Sequence, residues 1–516
     1  MKKQSFDFKE TGFFGTLFND FISQKESLRP FYTSLESLDL ESFNIDLDKR
    51  DALVATLQEQ SKGIQLSSKS IYNLNLLKEK NTLTVTTGHQ LNLMGGPLFF
   101  TYKILSTIKA CEEYAKEFTK YNFVPVYWMA TEDHDFEEIN HFFLFGKKYS
   151  WTKDVENKAV GDLGLEDLQL FLTEITDIPD NIKKCYLESK TLKEAHLKLV
   201  NELFGAYGIL ILDANTRDLK KSFIDFAIKE INNQVVYNQV NISNTLLTNL
   251  RYKTQVSPRE CNLFYQKEGT RYRIEVKEEQ VHLIGAEEIF SKTDFIALIN
   301  NNPSLISQNV LTRPLYQQQI LPNIAYVGGP GEIAYWLQLK GLFESQSFAF
   351  PILIPRFFAL YLPEYVQVKM DKAGLQIEQL FQAFETIKQE ILLNDTEGVA
   401  LLKTIDAQFE NYKNGVLDSL KNQLNLSLQS FAEGSMTRIE KEHQNISKRV
   451  KKEIEARNSI KIDRIKNIFD TLFPEGELQE RHESLFTFAI NEPNFVEEVY
   501  NLLNPFEYKF QVLSHE

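Results

Sequence analysis

The stretch from Thr82 to His141 confines the fold more tightly than any other part of the chain. It opens with a short apolar run, Thr82-Leu83-Thr84-Val85-Thr86-Thr87, which meets Gly88-His89-Gln90 and then Gly95-Gly96-Pro97. Apolar residues at helical spacing follow for about twenty residues. Pro97 suits the first helical position, where its missing N–H would have no partner in any case. A second apolar run, Phe123 to Ala130, ends on Thr131-Glu132-Asp133-His134-Asp135. Strand, glycine loop, helix and strand in that order predict a right-handed crossover with its two strands parallel. Both polar sets then fall at the carboxyl ends of neighbouring strands, where open α/β sheets bind ligands.

The rest of the chain extends that unit. At 516 residues it is too long for one ordinary core. A second α/β unit is predicted around the apolar run Tyr207 to Leu212, and the core resumes with Ile324-Ala325-Tyr326-Val327 and Ile352-Leu353-Ile354-Pro355-Arg356. Residues 1–80 read as mostly helical. Two segments interrupt the core: 142–190, with short strands and a helix, and 254–310, where the apolar period turns to two and predicts a small antiparallel meander. Beyond residue 365, about a hundred residues rich in Glu, Lys, Gln and Leu carry apolar side chains every three or four positions. Turns at Asn394–Gly398 and Glu433-Gly434-Ser435 would divide them into three long helices, a coiled coil or a bundle on its own core. The expected division is a core over 1–365, a helical domain over 366–473, and a C-terminal segment, 474–516, that returns to the core.

Charge and cysteine usage narrow the function. A formal net charge of -14 argues against a general nucleic-acid binder. Cys111, Cys185 and Cys261 are odd in number, widely spaced and free of any CxxC pattern, which suits a reducing compartment. No N-terminal apolar region and no span of bilayer length is present, so a soluble, cytoplasmic protein is expected.

Several residues offer chemistry. His89, just past a buried strand, suits phosphate binding or charge stabilisation, or else braces its loop. Gly95-Gly96-Pro97 recurs as Gly328-Gly329-Pro330, each with a tyrosine five residues after the proline, Tyr102 and Tyr335. Paired glycines before a helix let the backbone approach an anion. The cluster Glu132-Asp133-His134-Asp135, continuing to Glu137, Glu138 and His141, suits Mg²⁺ or ammonium binding by carboxylates, or acid–base work by His134 with a carboxylate orienting it. Zinc held by His89, His134 and His141 is conceivable, but the spacing fits no recognised zinc pattern. Arg313 and Arg356 stand beside apolar runs, placed for a substrate carboxylate or phosphate, or for structural pairing with Asp133 or Glu332. Walker A and GxGxxG signatures are absent. The residues alone point to an α/β enzyme for a small ligand bearing phosphate or carboxylate.

The blocks Thr87-Gly88-His89-Gln90 with Gly95-Gly96-Pro97, Pro125-Val126-Tyr127-Trp128 with Glu132 to Phe136, Asn309 to Pro314, Ala325 to Trp336, and Leu472-Phe473-Pro474 with Leu478 to Arg481 together resemble one family. It is the BshC family, cysteine ligases of bacillithiol biosynthesis, and the resemblance runs the length of the chain. It implies a Rossmann-like core resembling class I aminoacyl-tRNA synthetases, two connecting-peptide insertions, and an α-helical coiled coil that forms a homodimer. It further implies the last pathway step, joining cysteine to glucosaminyl malate through an amide, with ATP and Mg²⁺ as expected co-reactants. On that reading His89, Asp133, His134 and Asp135 are catalytic, and Gly88, Gln90, Gly95, Gly96, Gly328, Gly329 and Glu332 hold nucleotide phosphates. Arg313, Tyr335 and Arg356 bind substrate. An adenylating enzyme for another small substrate and a non-catalytic coiled-coil scaffold are the rival readings.

Overall fold

The computed structural model describes residues 1–421 and 426–515. Its centre is a sheet of strands β1 (Thr82–His89), β2 (Asn122–Met129), β3 (Leu210–Leu212), β4 (Asn323–Gly328) and β5 (Ile352–Pro355), with helices α1 (Phe99–Glu117) and α2 (Pro330–Trp336) following β1 and β4. The spatial order is β5-β4-β1-β2-β3, and every pairing is parallel. The strands are buried on both faces, as their unbroken apolar runs require. Along β2, Val124, Val126 and Trp128 enter one core while Tyr127 and Met129 enter the other. The chain builds outward from β1 through β2 to β3, then returns to set β4 on the other side of β1. The winding direction therefore reverses between β1 and β4, and a crevice opens outside their carboxyl ends.

The expected crossover is present, but α1 starts at Phe99 rather than Pro97. Pro97 is drawn into a bridge with Ser484, and the Leu98 N–H donates to the Glu483 carbonyl at 2.7 Å. A tertiary partner thus takes the first turn. Gly95 and Gly96 sit at φ 78° and 68°, and a Cβ on Gly96 would lie 2.6 Å from the Asn92 Cβ. The doublet makes a tight turn that a side chain would obstruct.

Between β2 and β3 lie the hairpin His141–Leu144/Lys147–Ser150 and short helices. Between β3 and β4, the period of two corresponds to an antiparallel sheet of Leu263–Lys267, Thr270–Lys277, Gln280–Ile284 and Glu288–Ser291, extended by Ile306–Gln308. The N-terminal region holds helices Leu47–Gln60 and Ser68–Leu76, but it begins with an unexpected strand, Lys2–Phe6. That strand pairs antiparallel with Phe510–Ser514, which runs parallel to Ala359–Leu362.

Among the described residues the C-terminal region contains two long helices, not three: α3 (Thr396–Lys421) and α4 (Leu426–Leu472). They run antiparallel, since Lys413 meets Glu440, Asp406 meets His443 and Asp395 meets Asn458. Glu433-Gly434-Ser435 lies inside α4, where an exposed glycine costs only about 1 kcal/mol. Gly398 belongs to α3 and lets it approach Ile454, whose Cγ1 would be 2.6 Å from an added Cβ. No helix of the described residues is long and apolar enough to cross a membrane.

Candidate active site

The carboxyl ends of the central strands open into a cavity of about 690 Å³. Gly88, His89 and Gln90 from the end of β1, Glu132 to Asp135 after β2, and Gly329, Glu332 and Tyr335 around α2 all line it, as do Arg313 and Arg356. The structure therefore gathers most of the residues singled out from sequence. Gly95, Gly96 and Gly328 do not line it. Tyr102 is fully buried against Phe357, so the two Gly-Gly-Pro segments are not equivalent.

At the reversal point, Lys103 of α1 is fully buried, donates to the Gly88 carbonyl, and pairs with Glu332 Oε2 at 2.8 Å. Glu332 also accepts from the Gly329 N–H at 2.9 Å and the Tyr326 hydroxyl at 2.6 Å. Burial alone would raise the Glu332 pKa, but Lys103 and these donors hold it below the ordinary carboxylate value. With both oxygens engaged, Glu332 braces the loop. Lys103 escaped the sequence reading; its only signal was a lysine amid the apolar positions of α1.

The two arginines differ. Arg356 Nη2 donates to Glu480 Oε1 at 2.7 Å, with both side chains buried, and its guanidinium packs over Phe358. Arg313 donates to Gln317 Oε1 at 2.9 Å and to the Tyr335 hydroxyl at 3.0 Å, flanked by the rings of Tyr326 and Trp128. Neither pairs with Asp133 or Glu332.

The His89 ring stacks on Phe100, with centroids 5.2 Å apart, and meets the edge of Phe99; its Nε2 is buried without a partner. Burial first, then the charge of Lys103, pushes its pKa well below 6.5. The ring is neutral at pH 7 and offers a hydrogen bond rather than a positive charge.

The acidic cluster lines the same cavity. Glu132 is tied to the buried Lys220 at 2.6 Å. Asp133 accepts from Gln90 Nε2 at 3.0 Å and from the His134 N–H at 2.9 Å. Arg271, reaching in from the antiparallel insertion, lies 3.5 Å from both Asp133 Oδ1 and His134 Nδ1. His134 Nε2 is 3.8 Å from Asp135, whose side chain is 53% exposed. Arg271 and Lys220, like Lys103, were not singled out from sequence. His141 lies outside the cavity, bonded to Asn140. Among the described residues no group of three or more His, Cys, Asp or Glu is arranged to hold a metal ion.

Residues 1–357 match the family described as bacillithiol biosynthesis BshC, N-terminal Rossmann-like domain, and residues 359–515 match the BshC C-terminal coiled-coil domain. A protein of Cytophaga hutchinsonii provisionally named cysteine ligase BshC is 36% identical over 514 residues, 98% of this chain and 97% of its own. A Flavobacterium johnsoniae protein of the same name is 35% identical over the whole of both chains, and one from Bacillus cytotoxicus is 26% identical over 84% of each. A solved structure from Campylobacter jejuni, provisionally named an arginyl-tRNA synthetase, covers 84% of this chain and 98% of its own at 10% identity. The TM-score between the two is 0.24. Two family models that between them take in nearly every residue, and relatives matched from end to end, leave one conclusion: the chain is a member of the BshC family of bacillithiol biosynthesis.

Proposed function

We propose that this chain is an ATP-dependent ligase that joins cysteine to glucosaminyl malate through an amide, the last step of bacillithiol biosynthesis, and that it works as a homodimer through the coiled coil. The observation that carries the reading is the full-length match to relatives named as cysteine ligases, combined with a cleft lined by both acidic and basic side chains. A cavity of about 690 Å³ falls within the ordinary range for small-ligand sites. Its residues fit an anionic co-reactant: Arg313, Arg259 and Arg481 supply positive charge, and the unpartnered His89 Nε2 supplies a hydrogen-bonding group. ATP, when bound, supplies the activation that a free carboxylate lacks. Asp135, the more exposed of the two aspartates, suits a carboxylate through which Mg²⁺ is commonly held beside phosphates.

The chain's own residues then position and exchange protons. The Asp133 carboxylate accepts a hydrogen bond from the substrate amine and takes its proton. Arg271 and Gln90 fix Asp133, so the acceptor oxygen is set before substrate arrives. His134, with Arg271 at Nδ1, directs Nε2 toward Asp135 and keeps that wall ordered. The test is incubation with ATP, Mg²⁺, cysteine and glucosaminyl malate, followed by mass spectrometry for the thiol product and for AMP or ADP. AMP would accompany an acyl-adenylate and ADP an acyl-phosphate. Asp133→Asn should lower turnover by at least about a hundredfold, in the range that positioned proton transfer contributes, with the fold unchanged. Wild-type protein that forms no product would refute the ligase reading, and undiminished turnover in D133N would remove Asp133 from the site.

A further inference from the structure

Four buried or nearly buried cations around the cleft each have a carboxylate: Lys103 has Glu332, Arg356 has Glu480, Lys220 has Glu132 and Arg271 has Asp133. Arg313 does not. Its Nη1 and Nη2 donate to neutral oxygens, the Gln317 amide and the Tyr335 hydroxyl. Among the described residues no carboxylate approaches it within the 4.0 Å that defines an ion pair. Arg259 and Arg481 also line the cavity, but both are exposed and their charge is met by water. Arg313 is walled by Tyr326, with its guanidinium carbon 5.4 Å from the ring centroid, and by Trp128 at 5.9 Å. Glu332, bonded to the Tyr326 hydroxyl, acts on Arg313 only from beyond ion-pair distance, and a partly buried cation whose direct contacts are all neutral gains from an anion supplied from elsewhere. The neutral contacts from Gln317 and Tyr335 fix the guanidinium plane without spending its charge. The result is a fork already oriented for a carboxylate or phosphate.

We propose that Arg313, with the Tyr335 hydroxyl beside it, is the anchor for a substrate oxyanion, either a carboxylate of the acceptor or a phosphate of the nucleotide, whereas Arg356 is a structural clamp closed on Glu480. Only the identity of that anion rests on the ligase reading. Lys103 is a positioning residue in the same arrangement, because it neutralises Glu332 and so prevents a buried negative charge from opposing the ligand.

Trp128 beside Arg313 gives a direct readout. The full-length protein is titrated with L-malate and separately with inorganic pyrophosphate, following tryptophan fluorescence. Arg313→Gln should weaken binding of the recognised anion by at least about tenfold, the weight of one hydrogen bond to a charged group. Arg313→Lys, which keeps charge but loses the fork, should fall between. Arg457→Gln, on α4 outside the cavity, should match wild type, and melting curves confirm that each variant is folded. A loss confined to malate assigns the acceptor carboxylate; a loss confined to pyrophosphate assigns a nucleotide phosphate. Unchanged binding of both anions in R313Q, or no binding of either by wild type at millimolar concentration, overturns the proposal. If anion binding depends on Arg313 but no ligation occurs, the anchor stands and the ligase reading fails.

Discussion

Replacing Glu480 by alanine tests how the C-terminal segment is joined to the sheet. Glu480 Oε1 accepts from Arg356 Nη2 at 2.7 Å, and Oε2 accepts from the Ala359 N–H at 3.1 Å. The Glu480 side chain is 0% exposed and that of Arg356 is 2% exposed. Glu480→Ala therefore leaves a buried guanidinium without its anion and a strand N–H without its acceptor. Breaking a buried pair from one side costs about 3–5 kcal/mol, and the orphaned N–H about 1–3 kcal/mol more. Because the new cavity admits some relaxation, we expect a net loss of about 4–6 kcal/mol, a large share of the about 5–15 kcal/mol that holds a domain. Trp128, Trp151 and Trp336 are the chain's three tryptophans, and all lie in the Rossmann-like region. Guanidinium unfolding followed by fluorescence thus reports the core and not the long helices. The double variant Arg356→Met/Glu480→Leu removes both charges, and what should remain is the penalty for two unpaired backbone groups, the Ala359 N–H and the Phe357 carbonyl that accepts from Arg356 Nη1 at 2.8 Å, each about 1–3 kcal/mol before relaxation. A single variant within about 1 kcal/mol of wild type, or a double variant less stable than the single, would refute the assignment of this pair as the clamp.

Two further expectations follow from buried and exposed groups elsewhere. His196 is fully buried with Nε2 2.9 Å from the Tyr127 hydroxyl, and burial, opposed by the Asn92 backbone, pushes its pKa from 6.5 down to about 3. The unfolded chain then binds a proton that the folded chain refuses. His196 therefore costs nothing above pH 6.5 and erodes stability as pH falls from there toward 3, by about 1.4 kcal/mol per pH unit. His196→Gln should flatten urea-unfolding stability between pH 6.5 and 4.5 by that slope, and an unchanged slope would exclude His196 as the titrating group. On the coiled coil, Tyr412 and Ile446 are each 55% exposed. For the homodimer proposed above, changing both to Asp should convert dimer to monomer in sedimentation velocity with helicity retained; a persisting dimer would place the interface elsewhere, and a monomeric wild type would refute the proposed dimer.

What the sequence disclosed was whatever depends on near neighbours. The crossover at Thr82–Met129 followed from two apolar runs and a helical period, and the antiparallel insertion from a period of two. The cleft's acidic wall was visible as Glu132 to Asp135 because a dense polar cluster directly after a buried strand has few other uses. The partners that give those residues their meaning were not visible. Lys220 reaches Glu132 across 88 positions, Arg271 reaches Asp133 across 138, and Glu480 reaches Arg356 across 124. Each is a single charged residue in an amphipathic pattern that would read the same if it were solvated. The two glycine doublets show the same boundary from the other side. Gly95-Gly96 and Gly328-Gly329 are alike in composition and both precede helices, yet one closes a left-handed turn away from the cavity and the other brings Gly329 to its edge. Backbone angle decides between them, and composition does not encode it. Arg313 and Arg356 are a sharper case, since both follow or flank apolar runs and both line the cavity. What separates an anion anchor from a structural clamp is whether a carboxylate has already claimed the guanidinium. That depends on Glu480, in a segment that returns to the core only after the entire coiled coil has been made. The charge balance of this site is thus a property of the closed fold, and any account of which residues meet substrate must begin from which cations the chain has left unpaired.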